Sequence, residues 1–597
     1  MTDKPRFPRG GGFLVEPVLS QEIFTREDIP EDQLLYEKTA EDFMKKEVVP
    51  KADDIDAKKP GLMVSLLKKA GELGLLMVDI PEEYGGLGLK KATVAPVVEK
   101  LGLNAAFNAT YGAHTGIGTL PIVYYGNEEQ KKKYLPLLAT GEKLSCYALT
   151  EPYAGSDALS IKTTAKLSPD GKFYILNGTK QFITNAGFAD IIVTYAKIDG
   201  NKFTSFILER NYPGISIGPE EHKMGITGSS TCQVILEDVK VPVENLLGEI
   251  GKGHYIAFNI LNMGRFKLGV GTSGGAKDAL NEAVKYGLER KQFNTPIVQF
   301  PAIKQKIADV AVAIFVLDSI TYRIAGAMDQ GISLISSSGP DHAKESIKVV
   351  EEYALEDSIV KVFGSETMSL AVDHGVQIHG GYGYIKEYPI ERAYRDARIN
   401  RLFEGTNEIN RLIIPATIMR KAMRGQLPVM EIMAEVKDGL TDKGKRPVLG
   451  KGPLAAEAYT TEMAKRTCLY STGQAIQKYG QGLDKEQEAL MAIADMVIDL
   501  LGMDSVVGRA NKIVGKKGAE TGKIPVEIAR VFCAEATERI TLLSRRLLTH
   551  LFRGDELATH LKNLSVYIQS PDTDIYASKR VIADRVIADG GWNLTSC

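Results

Sequence analysis

Covalent staples and metal-site patterns are scarce in this chain of 597 residues. Its five cysteines (Cys146, Cys232, Cys468, Cys533 and Cys597) are scattered, odd in number and without a C-x-x-C pair. That argues against a disulfide framework and fits a reducing compartment. The histidines show no H-E-x-x-H or similar ligand spacing, so no protein-bound metal is expected. A net charge of only −2 argues against nucleic acid as the main partner. The most apolar stretch, Val310 to Leu317, is short and has charged flanks, so no membrane span is expected. The N-terminus MTDKPRFPRGGGF is basic, but no apolar run follows it as a secretory signal requires. A cytoplasmic location follows, with a peripheral contact on the inner face of a membrane as an addition.

What is present divides the chain by periodicity. Residues 1–30, rich in Pro, Gly and charge, read as an extended arm. Residues 31–143 follow a helical period and form a first helical domain. The Gly-rich loop Val78 to Lys90 reads as a helix connector, with close approach of a ligand to its backbone as the alternative, and the small-residue stretch AAFNATYGAHTGIGTLPIVYYG as tight helix packing. At Leu144 the period changes to 2, and residues 144–253 read as a small β domain. Within it Asn177-Gly178 signals a hairpin turn between FYIL and TKQFIT. Helices return over residues 254–424 as a bundle, with members at Ala302–Ala327, Lys344–Asp373 and Asn410–Met423. A basic segment, residues 425–454, reads as a solvated linker, with an anionic membrane surface as its functional alternative. Three or four further helices fill residues 455–597.

One carboxylate stands out. Glu404 lies between Leu402-Phe403 and Gly405-Thr406, an apolar and small context. Burial would raise its pKa toward the range of a general base, and Gly405 leaves the backbone open to a ligand. On local chemistry alone the ordinary reading is a surface or N-cap carboxylate.

Four motifs lie in series: YALTEPYAGSDA (147–158), KQFITNAG (180–187), RKQF (290–293) and QIHGGYGYIKEYPIERAYRDARINRLFEGTNEI (377–409). In order and spacing they resemble the acyl-CoA dehydrogenase family over about residues 31–424. The extra C-terminal unit, the N-terminal arm and ILNMGRF make the chain most similar to the very-long-chain subgroup and its relative in respiratory complex I assembly. The resemblance implies a mainly α fold: N-terminal helices, a central β-barrel, a four-helix bundle and here an added C-terminal helical domain. It also implies FAD, held partly across a homodimer interface.

Residue by residue, the resemblance places Tyr147, Leu149, Thr150 and Ser156 against the flavin, with Ser156 also toward substrate. Phe182, Ile183 and Thr184 would cover the isoalloxazine, with Phe182 where the family has Trp. Arg290, Gln292 and Phe293 would hold the FAD pyrophosphate from the neighbouring subunit. Gln377, Gly380, Gly381, Thr406 and Glu408 would complete the cofactor site. Asn262, Arg265 and Gly405 would meet the substrate. Asn262 stands where many members have an acid. Glu404 would be the catalytic base of acyl-CoA α,β-dehydrogenation, with its backbone N–H helping to polarise the thioester carbonyl. Some members carry the base at the position of Gly264, which cannot serve here. The small residues Gly112, Ala113 and Gly116 near the end of the acyl channel would suit a long chain. Electrons would pass to electron-transfer flavoprotein. The rivals are a non-catalytic assembly or scaffold protein of this fold and an acyl-CoA oxidase. Segment 331–359 is longer than the family's usual connection and is expected to extend two helices.

Overall fold

The computed structural model describes residues 8–337, 339–569 and 571–594; Cys597 lies outside them. An N-terminal helical layer, a β domain and a helical bundle follow one another, and a second all-helical unit packs on the bundle.

The N-terminal helices Leu34–Phe43, Leu62–Glu72, Lys91–Leu101, Ala105–Gly112, Leu120–Tyr125 and Glu128–Thr140 match the helical period. Asn127 and Gln130 cap the last of these reciprocally, each side chain accepting from the other's backbone N–H (2.8 and 3.1 Å). The long helix Gly253–Glu289 packs parallel along Ala354–His379, with Gly269 against Val360 at one end and Tyr286 on His379 at the other, and Pro301–Ser333 and Asn407–Met423 complete the bundle. Pro301–Ser333 is long and apolar enough to cross a membrane, contrary to the reading of Val310 to Leu317 as too short. Most of it is buried in the bundle, so its apolar faces are those of a core helix.

The β domain contains β1 (Ser145–Ala148), β2 (Thr164–Leu167), β3 (Phe173–Thr184), β4 (Ile191–Ile198), β5 (Lys202–Glu209), β6 (Ile215–Ile217), β7 (Thr231–Pro242) and β8 (Leu246–Leu247). Their order is β6-β7-β3-β2-β4-β5-β8, with β1 parallel to β4. The path ends at β6 and β8 and does not return on itself, so the expected barrel is an open sheet. Its small core holds Cys146, Leu176, Ile192, Phe206 and Val234.

Asn177-Gly178 is not a hairpin turn. β3 runs straight through it, and the pairing with β7 slips by one residue there as a bulge. Asn177 is held across the strands, its Nδ2 donating to Asp238 Oδ1 (3.0 Å) and its Oδ1 accepting from Asp238 N–H (2.8 Å). A side-chain carbon on Gly178 would come within 2.3 Å of Thr163 Oγ1. The dipeptide therefore answers a close approach between strands. The expected single helix over Lys344–Asp373 is two, Gly339–Glu352 and Ala354–His379, broken at Tyr353. The long connection thus adds a helix of its own.

Among the described residues the C-terminal unit has five α-helices, one or two more than expected: Ala455–Tyr479, Gln487–Thr521, Lys523–Leu551, Gly554–Ser565 and Ile575–Ala588. From residue 8 the arm carries two short 3-10 helices, Gly12–Leu14 and Arg26–Asp28, and is anchored. Gly11 N–H donates to Glu356 Oε1 (2.5 Å), and Arg509, buried, grips Glu27 (2.6 Å).

Candidate active site

Glu404 occupies the loop before the helix Asn407–Met423. Glu404 (φ +56°) and Gly405 (φ +79°) both take left-handed backbone. Glycine does so freely; for glutamate the conformation costs ~1–2 kcal/mol. Three side chains from elsewhere hold it. Arg265 Nε–H donates to the Glu404 carbonyl (3.2 Å). Asn410 Nδ2 donates to the carbonyls of Glu404, Gly405 and Thr406 (3.3, 2.8 and 3.0 Å). Lys361 Nζ donates to the Gly405 carbonyl (2.7 Å) and to Asn407 Oδ1 (2.8 Å). Thr406 then caps the helix, its Oγ1 accepting from Ile409 N–H (3.2 Å).

The Glu404 carboxylate lies against Gly264, where a side-chain carbon would stand 2.7 Å from Oε2. Glycine at 264 is what gives the carboxylate its room. Among the described residues, buried Oε2 has no hydrogen-bond partner. Burial pushes the carboxyl up to about 7, against the opposing pull of Arg265 and Lys361. A carboxylate so placed can accept a proton at neutral pH.

Glu404 stands where two cavities meet. An outer cleft of ≈560 Å³ is walled by Tyr147, Leu149, Thr150, Ser156, Phe182, Ile183 and Thr184 from the β domain and by Asn262 and Arg265 from the long helix. Glu404 and Gly405 form its floor. An inner slot of ≈120 Å³ shares Ile117, Thr184, Phe403 and Glu404 with it. The slot runs between helices past Gly112, Ala113 and Gly116 to Gly275 and Met368. The stretch read as tight helix packing therefore lines a cavity as well.

The expected residues divide into two groups. Those named above share the cleft. Tyr147 donates from its hydroxyl to the Ala257 carbonyl (3.5 Å). Asn262 Oδ1 accepts from Arg265 Nη1 (2.9 Å), which orients the guanidinium. Phe182 sits at a second bulge of β3 with φ +58°, and the residue is 61% exposed. Glu408 is exposed in the first turn of its helix. The second group lies elsewhere. Arg290, Gln292, Phe293, Gln377, Gly380 and Gly381 are exposed together at the far end of the bundle. There the Arg290 guanidinium lies 5.7 Å from the Tyr382 ring centre. Arg290 is 25 residues beyond Arg265, ~38 Å along or just past the same helix.

Lys361 and Asn410 escaped the sequence reading. Lys361 left one trace, a lone lysine inside the apolar helical run SIVKVFG. Asn410 left none, being one polar residue among several in its helix.

A single cleft with an uncapped carboxylate, an exposed aromatic rim and loop backbone at its edge is of a size that suits a planar cofactor and a substrate together. Family models for the acyl-CoA dehydrogenase N-terminal domain, middle domain and C-terminal domain match residues 30–142, 146–239 and 251–419. A further acyl-CoA dehydrogenase C-terminal domain matches 463–565. A probable acyl-CoA dehydrogenase of Bacillus subtilis is 48% identical, over 96% of this chain and 97% of that protein. The mitochondrial very long-chain specific acyl-CoA dehydrogenase of Macaca fascicularis is 35% identical, over 79% of this chain and 73% of that one. The crystal structure of an acyl-CoA dehydrogenase complexed with FAD from Bacillus anthracis superposes with a TM-score of 0.95 at 49% identity, covering 98% of this chain and 100% of that one.

Proposed function

The chain belongs to the acyl-CoA dehydrogenase family, and from that premise we propose that it oxidises long-chain fatty acyl-CoA to trans-2-enoyl-CoA in fatty acid β-oxidation. The observation that carries this reading is the position of Glu404, between an open cleft and a narrow slot among helices. The residues fit FAD: Tyr147, Leu149, Thr150, Ser156, Phe182, Ile183 and Thr184 would hold it, with Thr406 beside the loop. Bound FAD supplies the acceptor for the hydride that leaves the β carbon.

Glu404 then removes the α proton. Its poor solvation makes it a stronger base than an exposed glutamate. Arg265 fixes its backbone, and Asn262 fixes Arg265. The Glu404 backbone N–H polarises the thioester carbonyl, an oxyanion-type contact that strengthens as charge develops. The acyl chain lies in the slot, whose small residues Gly112, Ala113 and Gly116 leave it depth. The floor residue Gly405 leaves room for the thioester.

The second group supports a homodimer. One dinucleotide cannot reach from the cleft to Arg290, ~38 Å from Arg265 along the long helix, and to the residues exposed beside it. Arg290, Gln292, Phe293, Gln377, Gly380 and Gly381 therefore serve the FAD of a second copy. Electrons go to electron-transfer flavoprotein, and the location is cytoplasmic. Exposed Val448 and Leu449, among Lys443, Lys445 and Lys451, support a peripheral contact with an anionic bilayer. Failure to cosediment with anionic vesicles would remove that part.

The test is turnover across acyl lengths with two acceptors. Palmitoyl-CoA should outrun butyryl-CoA, and electron-transfer flavoprotein should be reduced faster than oxygen yields peroxide. A butyryl preference would overturn the chain-length reading, and dominant peroxide would mark an oxidase.

A further inference from the structure

We propose that Lys361 is a positioning residue for the base: its ammonium group fixes the Glu404–Gly405 loop and keeps the Glu404 carboxylate ionised near neutral pH. The proposal rests on the reading of Glu404 as the base.

Lys361 sits within the helix Ala354–His379 and is 0% exposed. A buried ammonium is costly unless something compensates it. Its hydrogen bonds go to two neutral oxygens, the Gly405 carbonyl and Asn407 Oδ1. Among the described residues no carboxylate oxygen lies within ion-pair distance of Nζ. The loop alone does not require a charge: Asn410 already donates to the Gly405 carbonyl at 2.8 Å. What the ammonium adds over a neutral donor is its field at Glu404.

The groups facing Glu404 can be followed element by element. The long helix presents Arg265, β1 presents Tyr147, and Ala354–His379 presents Lys361. Four residues before Lys361 lies Asp357, fully buried, with neither carboxylate oxygen hydrogen-bonded among the described residues. Burial, with the neighbouring Glu356, raises Asp357 well above the ordinary carboxylate range, which weakens its offset of the cations. Glu408 and Glu366 also face Lys361; Glu408 is exposed, and Glu366 is paired with Arg411 (2.9 Å). Lys361 itself is pulled down to about 7 by burial, with Glu404 opposing. The two sites are therefore linked. A proton arriving on Glu404 removes the negative charge that helps Lys361 keep its own.

The deciding variant is Lys361→Gln in the holoenzyme, which retains an amide donor and removes the charge. Glu404 is titrated by its protonated-carboxyl infrared band, assigned by the band's loss in Glu404→Gln. In parallel, flavin bleaching by saturating palmitoyl-CoA is followed against pH. Both the midpoint and the acid limb should rise by ~1 pH unit, whatever happens to the plateau rate. Lys361→Met should move them in the same direction. A lower plateau with an unshifted titration would mean a purely structural lysine and overturn the proposal. The base assignment is judged separately. If Glu404→Gln is inert while Lys361→Gln titrates like the wild type, only the Lys361 proposal fails. If Glu404→Gln turns over, the base reading fails and this proposal falls with it.

Discussion

Glu404 combines two unfavourable features, a left-handed backbone and a buried carboxylate oxygen without a partner among the described residues. Such features persist where surrounding contacts over-determine them, and here Arg265, Asn410 and Lys361 do so. The base works only when ionised, and its carboxyl is raised to about 7. Dehydrogenation should therefore rise with pH through an acid limb near 7 and be lost below it. A stopped-flow pH profile checks this, and a limb near 4.5, the ordinary glutamate value, would contradict it. Glu404 was legible as an acid in an apolar setting. The cause of its burial was not, because Gly264 lies 140 positions earlier and Lys361 43 positions earlier in the chain. Through-space contacts of that kind leave no local pattern.

At the scale of elements, the helix Gly253–Glu289 carries the argument. One stretch of it bears Asn262, Gly264 and Arg265 at the junction, and a later stretch, past Gly271, walls the inner slot. The slot's depth depends on small residues opposite. Among the described residues nothing lies within 4 Å of a side-chain carbon placed on Gly112, so a side chain can start there without a clash and grow into the slot. Gly112→Phe should lower kcat/KM for palmitoyl-CoA by at least tenfold while sparing shorter substrates, read from a chain-length series. An equal loss at all lengths would place the acyl chain elsewhere. Element type followed period well: the helices and the change to strands at Leu144 were visible in the spacing of apolar residues. The failures were local. Asn177-Gly178 carries a turn's chemistry but serves a bulge, because Thr163 crosses close to Gly178. The break at Tyr353 lacks a proline or glycine to mark it. The open sheet differs from the expected barrel because strand pairing, unlike strand content, is not written in periodicity.

In the whole molecule the arm and the C-terminal unit brace the bundle, through Glu27 on Arg509 and through Arg323 on Asp504 (2.7 Å). The two distant groups of cofactor-binding candidates make a prediction that belongs to the assembly. Glu404→Gln and Arg290→Ala should each be inactive alone. When the two are unfolded and refolded together, hybrid dimers gain one site with both native residues, and activity should return to about a quarter of wild type. No recovery would mean that each site is built within one chain. The most direct test of the central claim is a single-turnover measurement on the Glu404→Gln holoenzyme. With palmitoyl-CoA its bound flavin should stay oxidised, slowed at least a thousandfold against wild type, while its absorbance spectrum shows the cofactor in place. Bleaching at a near-native rate would contradict the account.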